Sequence, residues 1–109
     1  MTSAGHLRSL LNQDRLFTTS CCYDALSAKL IEQAEFEITL MSRFAVSASR
    51  IGEPALGLMS YGEVPDQARN IIEAISIPVI VDGDTGYGNA MNIRHTVTGL
   101  ARAPAARTL

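Results

Sequence analysis

A chain of 109 residues is one domain at most, and 47% hydrophobic with 18% charged residues make a globular, water-soluble composition rather than a disordered one. Nine Lys and Arg, scattered and outnumbered by eleven Asp and Glu, leave a net charge of −2 and no basic surface for a polyanion, so nucleic acid is not an expected partner. No apolar run approaches the roughly 18 to 20 residues of a membrane span, and the N-terminus lacks the basic-then-apolar order of a signal peptide, which makes the cytoplasm the default location and a membrane no expected partner.

Hydrophobic spacing predicts a repeating β-then-α order. Residues 3–13 read as a leading helix with Leu7, Leu10 and Leu11 on one face. Residues 16–21 read as a first strand, after which Asp24 can cap a helix through about Ala34 with Leu26, Leu30 and Ile31 as its apolar stripe. A second strand is expected over 36–42. The stretch 43–59 carries Gly52, Pro54 and Gly57 and reads as a long working loop. Ser60 and Glu63 then match a capping box, and Val64, Ala68, Ile71, Ile72 and Ile75 recur at helical spacing, with Pro65 expected to kink the second turn. After a third strand over 77–81, a last helix begins near Asn89 with Ile93, Val97, Leu100 and Ala101 inward. Three such units argue for a parallel sheet, open or rolled into a barrel.

Adjacent Cys21 and Cys22 cannot readily bridge each other, fit no zinc spacing, and read as small, buried, reduced residues at a strand end. His6 and His95 are isolated and read as surface residues of helices. The chemistry gathers at Ile77-Pro78-Val79-Ile80-Val81-Asp82-Gly83-Asp84-Thr85-Gly86-Tyr87-Gly88-Asn89, where a strand of buried type empties into two carboxylates and a glycine-rich turn. Alternating side chains point Asp82 and Asp84 the same way, and two hard oxygen donors on one side suit Mg2+, which takes one or two carboxylates plus water and substrate oxygens. The same residues are also ordinary turn chemistry, with Asp bonding its own backbone and Gly supplying positive φ. Spacing alone leaves both readings open. It does argue against a nucleotide loop, for want of a Gly-Lys-Ser/Thr ending and of the dinucleotide order.

Four ordered motifs carry a resemblance: Tyr23-Asp24-Ala25-Leu26-Ser27-Ala28, the run from Met41-Ser42 to Ser49, Gly57-Leu58-Met59-Ser60-Tyr61-Gly62-Glu63, and above all the stretch from Val81 to Asn89. Over residues 15–103 they resemble the isocitrate lyase and phosphoenolpyruvate mutase superfamily. The resemblance implies an α/β fold, the first three or so β/α units of a (β/α)8 barrel, with a site for a small carboxylic acid at the C-terminal ends of the strands. It implies Mg2+ as cofactor, held by Asp84 with Asp82 beside it, stabilising an enolate-like oxygen as a C–C or C–P bond breaks. It gives Asp84 a substrate contact too. Ser42, Arg43 and Phe44 correspond to the loop whose hydroxyl and backbone amides bind the substrate carboxylate. The implied activity is a Mg2+-dependent lyase of 2-hydroxy or 2-oxo di- and tricarboxylic acids, with mutase activity or a non-catalytic interaction module as rivals, and intact relatives are expected to be homo-oligomers.

Three departures stand out. Arg43 replaces the usual glycine after the serine, where a side chain would either block an anion or bind it by its own charge. Ala55 stands where relatives often carry an Asp near the metal, and Glu35 replaces a common glycine at a turn where φ becomes positive. A (β/α)8 barrel needs about 250 residues, so 1–109 reads as a partial, truncated barrel domain with a divergent tail over 104–109. The catalytic cysteine of the lyases is expected in a segment beyond residue 109.

Overall fold

The computed structural model describes residues 3–54, 63–83 and 88–102. In chain order they form α1 (Ser3–Leu11), β1 (Cys21–Cys22), α2 (Ala25–Gln33), β2 (Thr39–Met41), α3 (Arg43–Ile51), α4 (Glu63–Ala74), β3 (Val79–Val81) and α5 (Ala90–Arg102). The three strands make one parallel sheet in the order β1-β2-β3, with Cys21, Leu40 and Ile80 in one cross-strand row and Cys22, Met41 and Val81 in the next. Because successive side chains alternate, these rows face opposite sides of the sheet. One side buries Cys22, Met41, Val79 and Val81 against Ala28 and Ile31 of α2, Val46 of α3, Val64, Ala68, Ile71 and Ile72 of α4, and Leu100 of α5. On the other side, among the described residues, Leu7 and Leu10 of α1 pack with Ile38, Phe17 and Ile80.

All three strands are shorter than their apolar runs, for local reasons. Before β1, the Thr39 hydroxyl donates to Ser20 O at 2.8 Å and the Thr19 hydroxyl to Ile38 O at 2.6 Å, so side chains take the carbonyls a longer ladder would use. Leu16, expected within the strand, is 94% exposed. Ahead of β2, Phe36 N still donates to Ile31 O as the end of α2 unwinds, and Glu35 reaches φ 67° as its replacement of a glycine leads one to expect. Ahead of β3, the Glu32 carboxylate accepts from Ser76 N at 2.6 Å and from Ile77 N at 3.2 Å, drawing both amides out of the sheet. Of the two cysteines, Cys22 is buried as expected whereas Cys21 is exposed on the open side.

The helices correct the sequence reading in register more than in existence. Asp24 caps α2 in a full capping box with Ser27. Its buried positions are Ala28 and Ile31, while Leu26 and Leu30 are 68% and 56% exposed. At 3.6 residues per turn both leucines lie about 160° around the helix from Ala28, on the outer surface. Leu11 of α1 is likewise half exposed.

The expected loop over 43–59 opens instead with a helix. Ser42 caps α3 by accepting from Ala45 N at 3.2 Å, and Gly52 closes it at φ 70° with its N–H on Ala48 O. Only Val46 among its large apolar residues is buried, so the periodicity that would reveal a helix is faint. Residues 55–62 lie outside the described residues, which takes Ala55 and the Ser60 end of the capping box with them.

In α4 the expected inward residues Val64, Ala68, Ile71 and Ile72 are buried, as is Ile75 just past its end. Among the described residues the helix runs over Glu63–Ala74, while Tyr61, whose carbonyl the Pro65 amide would have met, lies outside them, and the expected kink with it. In α5 the buried pair is Thr96 and Leu100, while Ile93 and Val97 are 41% and 61% exposed. The side chain of Ala101 and the tail 104–109 are outside the described residues.

Candidate active site at the C-terminal edge of the sheet

Parallel strands bring all their C-terminal ends to one edge, and there the polar residues follow. Tyr23, Ser42 and Asp82 come one residue after Cys22, Met41 and Val81. Carried one residue further, the same alternation sets the three on the open side of the sheet, in the row above Cys21, Leu40 and Ile80. Neighbouring strands lie about 4.8 Å apart, so the backbones of Ser42 and Asp82 are adjacent. Ser42 N donates to Cys22 O at 3.1 Å, which fixes the serine to the end of β1. The Ser42 side-chain oxygen accepts from Ala45 N, and among the described residues its proton is given no acceptor.

Ser42 thus sits at the N-terminal end of α3, where first-turn amides have no intrahelical carbonyl and the helix dipole favours negative charge. Asp82 is exposed and first past β3. It offers a hard oxygen donor of the type Mg2+ prefers. Asp84 lies outside the described residues, and among those described no group of three or more His, Cys, Asp and Glu gathers as a metal centre. One or two carboxylates suffice for Mg2+, so Asp82 fits such a group as one of its donors.

Arg43 does not stand over the edge as an exposed arm. It is the first residue of α3 and only 8% exposed. Phe44 behaves oppositely: its side chain is 62% exposed and, with Tyr23, Ala45, Ala48 and Ser49, lines an open, mainly apolar depression of about 540 Å³ beside Ser42. Tyr23 is the residue that sequence reasoning quoted without a role. Its signal was its place two residues after Cys21, just past the end of β1. Cys22, by contrast, is removed from the chemistry: burial pushes its thiol up, against a lowering contribution from the Thr39 hydrogen bond.

A parallel β/α sheet with its polar residues gathered on the C-terminal edge is the architecture of α/β-barrel enzymes, and the three units match the N-terminal third of such barrels. The chain belongs to the phosphoenolpyruvate mutase and isocitrate lyase superfamily, the phosphoenolpyruvate phosphomutase family model matching residues 7–107. It is 37% identical over 103 residues to 2,3-dimethylmalate lyase of Eubacterium barkeri, covering 94% of this chain and 36% of that protein. To an oxaloacetate decarboxylase of Bradyrhizobium sp. it is 40% identical over 100 residues, covering 92% of this chain and 35% of the relative. Among solved structures, phosphonopyruvate hydrolase in complex with oxalate and Mg2+ superposes with a TM-score of 0.89 at 39% identity, over 96% of this chain and 37% of that one. The chain therefore spans little more than a third of the length of the relatives it matches.

Proposed function

We propose that this chain forms the opening β/α units of a Mg2+-dependent lyase that cleaves a C–C bond in 2-hydroxy or 2-oxo di- or tricarboxylic acids, of the dimethylmalate or methylisocitrate lyase or oxaloacetate decarboxylase kind. The observation that carries the reading is the row holding Ser42 and Asp82 at the sheet edge, in a chain related to a lyase and a decarboxylase of such acids. Asp82 and Asp84 would hold the metal, which when bound supplies Lewis-acid stabilisation of the charge developing on the substrate's oxo oxygen. Ser42 orients the substrate by donating its hydroxyl proton to a carboxylate, while the first turn of α3 presents amides and its dipole to the same group. Phe44 and Tyr23 supply apolar surface beside that carboxylate. The mutase reading has its own support in the phosphomutase family match.

The test is a chimera in which this chain replaces the matching third of the Eubacterium barkeri lyase. Mg2+-dependent cleavage of dimethylmalate is expected, abolished by Asp84→Ala and weakened at least tenfold by Asp82→Ala. Full activity with unchanged Mg2+ dependence in both variants would sink the site.

A further inference from the structure

Resting on that reading of the site, we propose that Gln67, outside the row of Ser42 and Asp82, is a positioning residue that sets the width of the apolar depression beside Ser42. It does so by tying together two walls carried on separate elements.

One wall is Tyr23, just past β1, and the other is the face of α3 that presents Phe44, Ala45, Ala48 and Ser49. Cys22 O accepts from Ser42 N at the end of the ladder, and beyond it side chains hold the backbone of Tyr23. Its N–H donates to Ser27 Oγ of α2 at 3.1 Å, and its carbonyl accepts from Gln67 Nε2 of α4 at 2.8 Å. Two helices therefore fix one residue. The other end of the same amide, Gln67 Oε1, accepts from Arg50 Nη1 at 3.3 Å, and Arg50 stands near the C-terminal end of α3, two residues past Ala48.

A primary amide suits this place because it donates and accepts at once. The guanidinium can only donate and the carbonyl only accept, so a single orientation of the amide serves both. Along α4, Gln67 lies one turn from buried Val64 and one from buried Ile71, at the border of the packed face, where a side chain meets neighbouring elements. Arg50 is steadied on the same helix by Glu63 at 3.9 Å and Asp66 at 3.4 Å, and Gln67 carries the tie onward to Tyr23. Losing the Gln67 donor would leave the Tyr23 backbone with one of its two tethers. Its ring would then drift from Phe44, weakening the grip on a substrate's alkyl groups without touching the groups that act on the scissile bond.

Gln67→Glu tests this, since the carboxylate still accepts from Arg50 but has no proton for Tyr23 O. Asn70→Asp, which adds the same charge three residues along the helix, is the control. In the full 109-residue chain labelled with fluorotyrosine, with the Tyr23 resonance assigned by Tyr23→Phe, Gln67→Glu should shift or broaden that resonance and Asn70→Asp should leave it in place. In the Eubacterium barkeri chimera, Gln67→Glu should raise the KM for dimethylmalate roughly threefold or more with kcat within about twofold, and Arg50→Ala should move KM in the same direction. An unmoved fluorine resonance, an unchanged KM, or a kcat that falls as far as KM rises overturns the proposal. A chimera without turnover counts against the lyase reading instead, while the fluorine resonance still decides whether Gln67 holds Tyr23.

Discussion

Glu35 occupies φ 67°, a left-handed conformation that costs an L-residue with a side chain roughly 1–2 kcal/mol and glycine almost nothing. Glu35→Gly should therefore raise stability by about 1 kcal/mol, read as a higher urea midpoint at unchanged slope. Arg43 raises a sharper question, because its guanidinium is buried at the head of α3 rather than extended toward solvent. In the chimera, Arg43→Gly should lower the KM for a dicarboxylate or raise kcat by freeing the backbone at the head of α3 to fit its first-turn amides to the anion. A large loss of activity, with folding intact by circular dichroism, would make the arginine an anion clamp. The exposed Arg15–Glu37 pair, at 2.7 Å, offers a test by pH. The hydrogen bond from Arg15 holds the Glu37 carboxyl below its ordinary value. A depressed carboxylate contributes stability above its unfolded pKa of about 4.3 and loses it as pH falls through the folded value. The small stability difference between the wild type and Arg15→Ala should accordingly vanish on acidification, in denaturant titrations taken stepwise below pH 5.

Among the elements, α2 and the turn before β3 are joined by one carboxylate. Glu32 accepts two amides there, Ser76 N at an exposed position and Ile77 N at a part-buried one, so removing it strands the second donor. Glu32→Ala should cost about 1–3 kcal/mol, more than truncation of an exposed glutamate such as Glu73, by thermal or chemical unfolding. Helix α4 was legible in the sequence because its inward face is built of large aliphatics at unbroken helical spacing. In α3 that signal nearly disappears: Val46 is buried beside Ser47, whose hydroxyl is satisfied by Glu53 O at 2.8 Å, while Phe44 faces outward. Its two caps, Ser42 and Gly52, were readable signals set too close to Pro54 and Gly57 to stand out. The stripes of α2 and α5 were misplaced because every Leu, Ile and Val was counted as inward, whereas a helix lying on a sheet covers only a narrow face and small Ala28 or polar Thr96 can occupy it. Strand lengths were overread because side-chain acceptors and donors, Thr19, Glu32 and Thr39, compete with the ladder without disturbing the apolar pattern.

For the whole molecule, parallel order and the site edge followed from the alternation of strand and helix signals, since a βαβ succession leaves little other topology. The placement of Ser42 and Asp82 side by side needed the register, which no spacing along the chain encodes. A barrel site draws catalytic groups from the ends of several strands, and the described residues of this chain supply three. The 109 residues alone should therefore show no Mg2+-dependent cleavage of dimethylmalate or oxaloacetate above the metal-only rate, in an assay following product formation at fixed Mg2+. Turnover by the chain alone would mean that three units suffice.

The two neighbouring thiols of β1 open onto different worlds, Cys21 onto the uncovered side of the sheet and Cys22 onto the packed interior. That makes the strand its own reporter. A maleimide should modify Cys21 at the rate of a free thiol and Cys22 only through transient opening, so mass spectrometry would resolve two reaction phases from adjacent positions. When further strands close over the uncovered side, the fast phase should slow while the slow phase continues to track opening. One strand of two residues thus timestamps separately the assembly of the molecule and the breathing of its core.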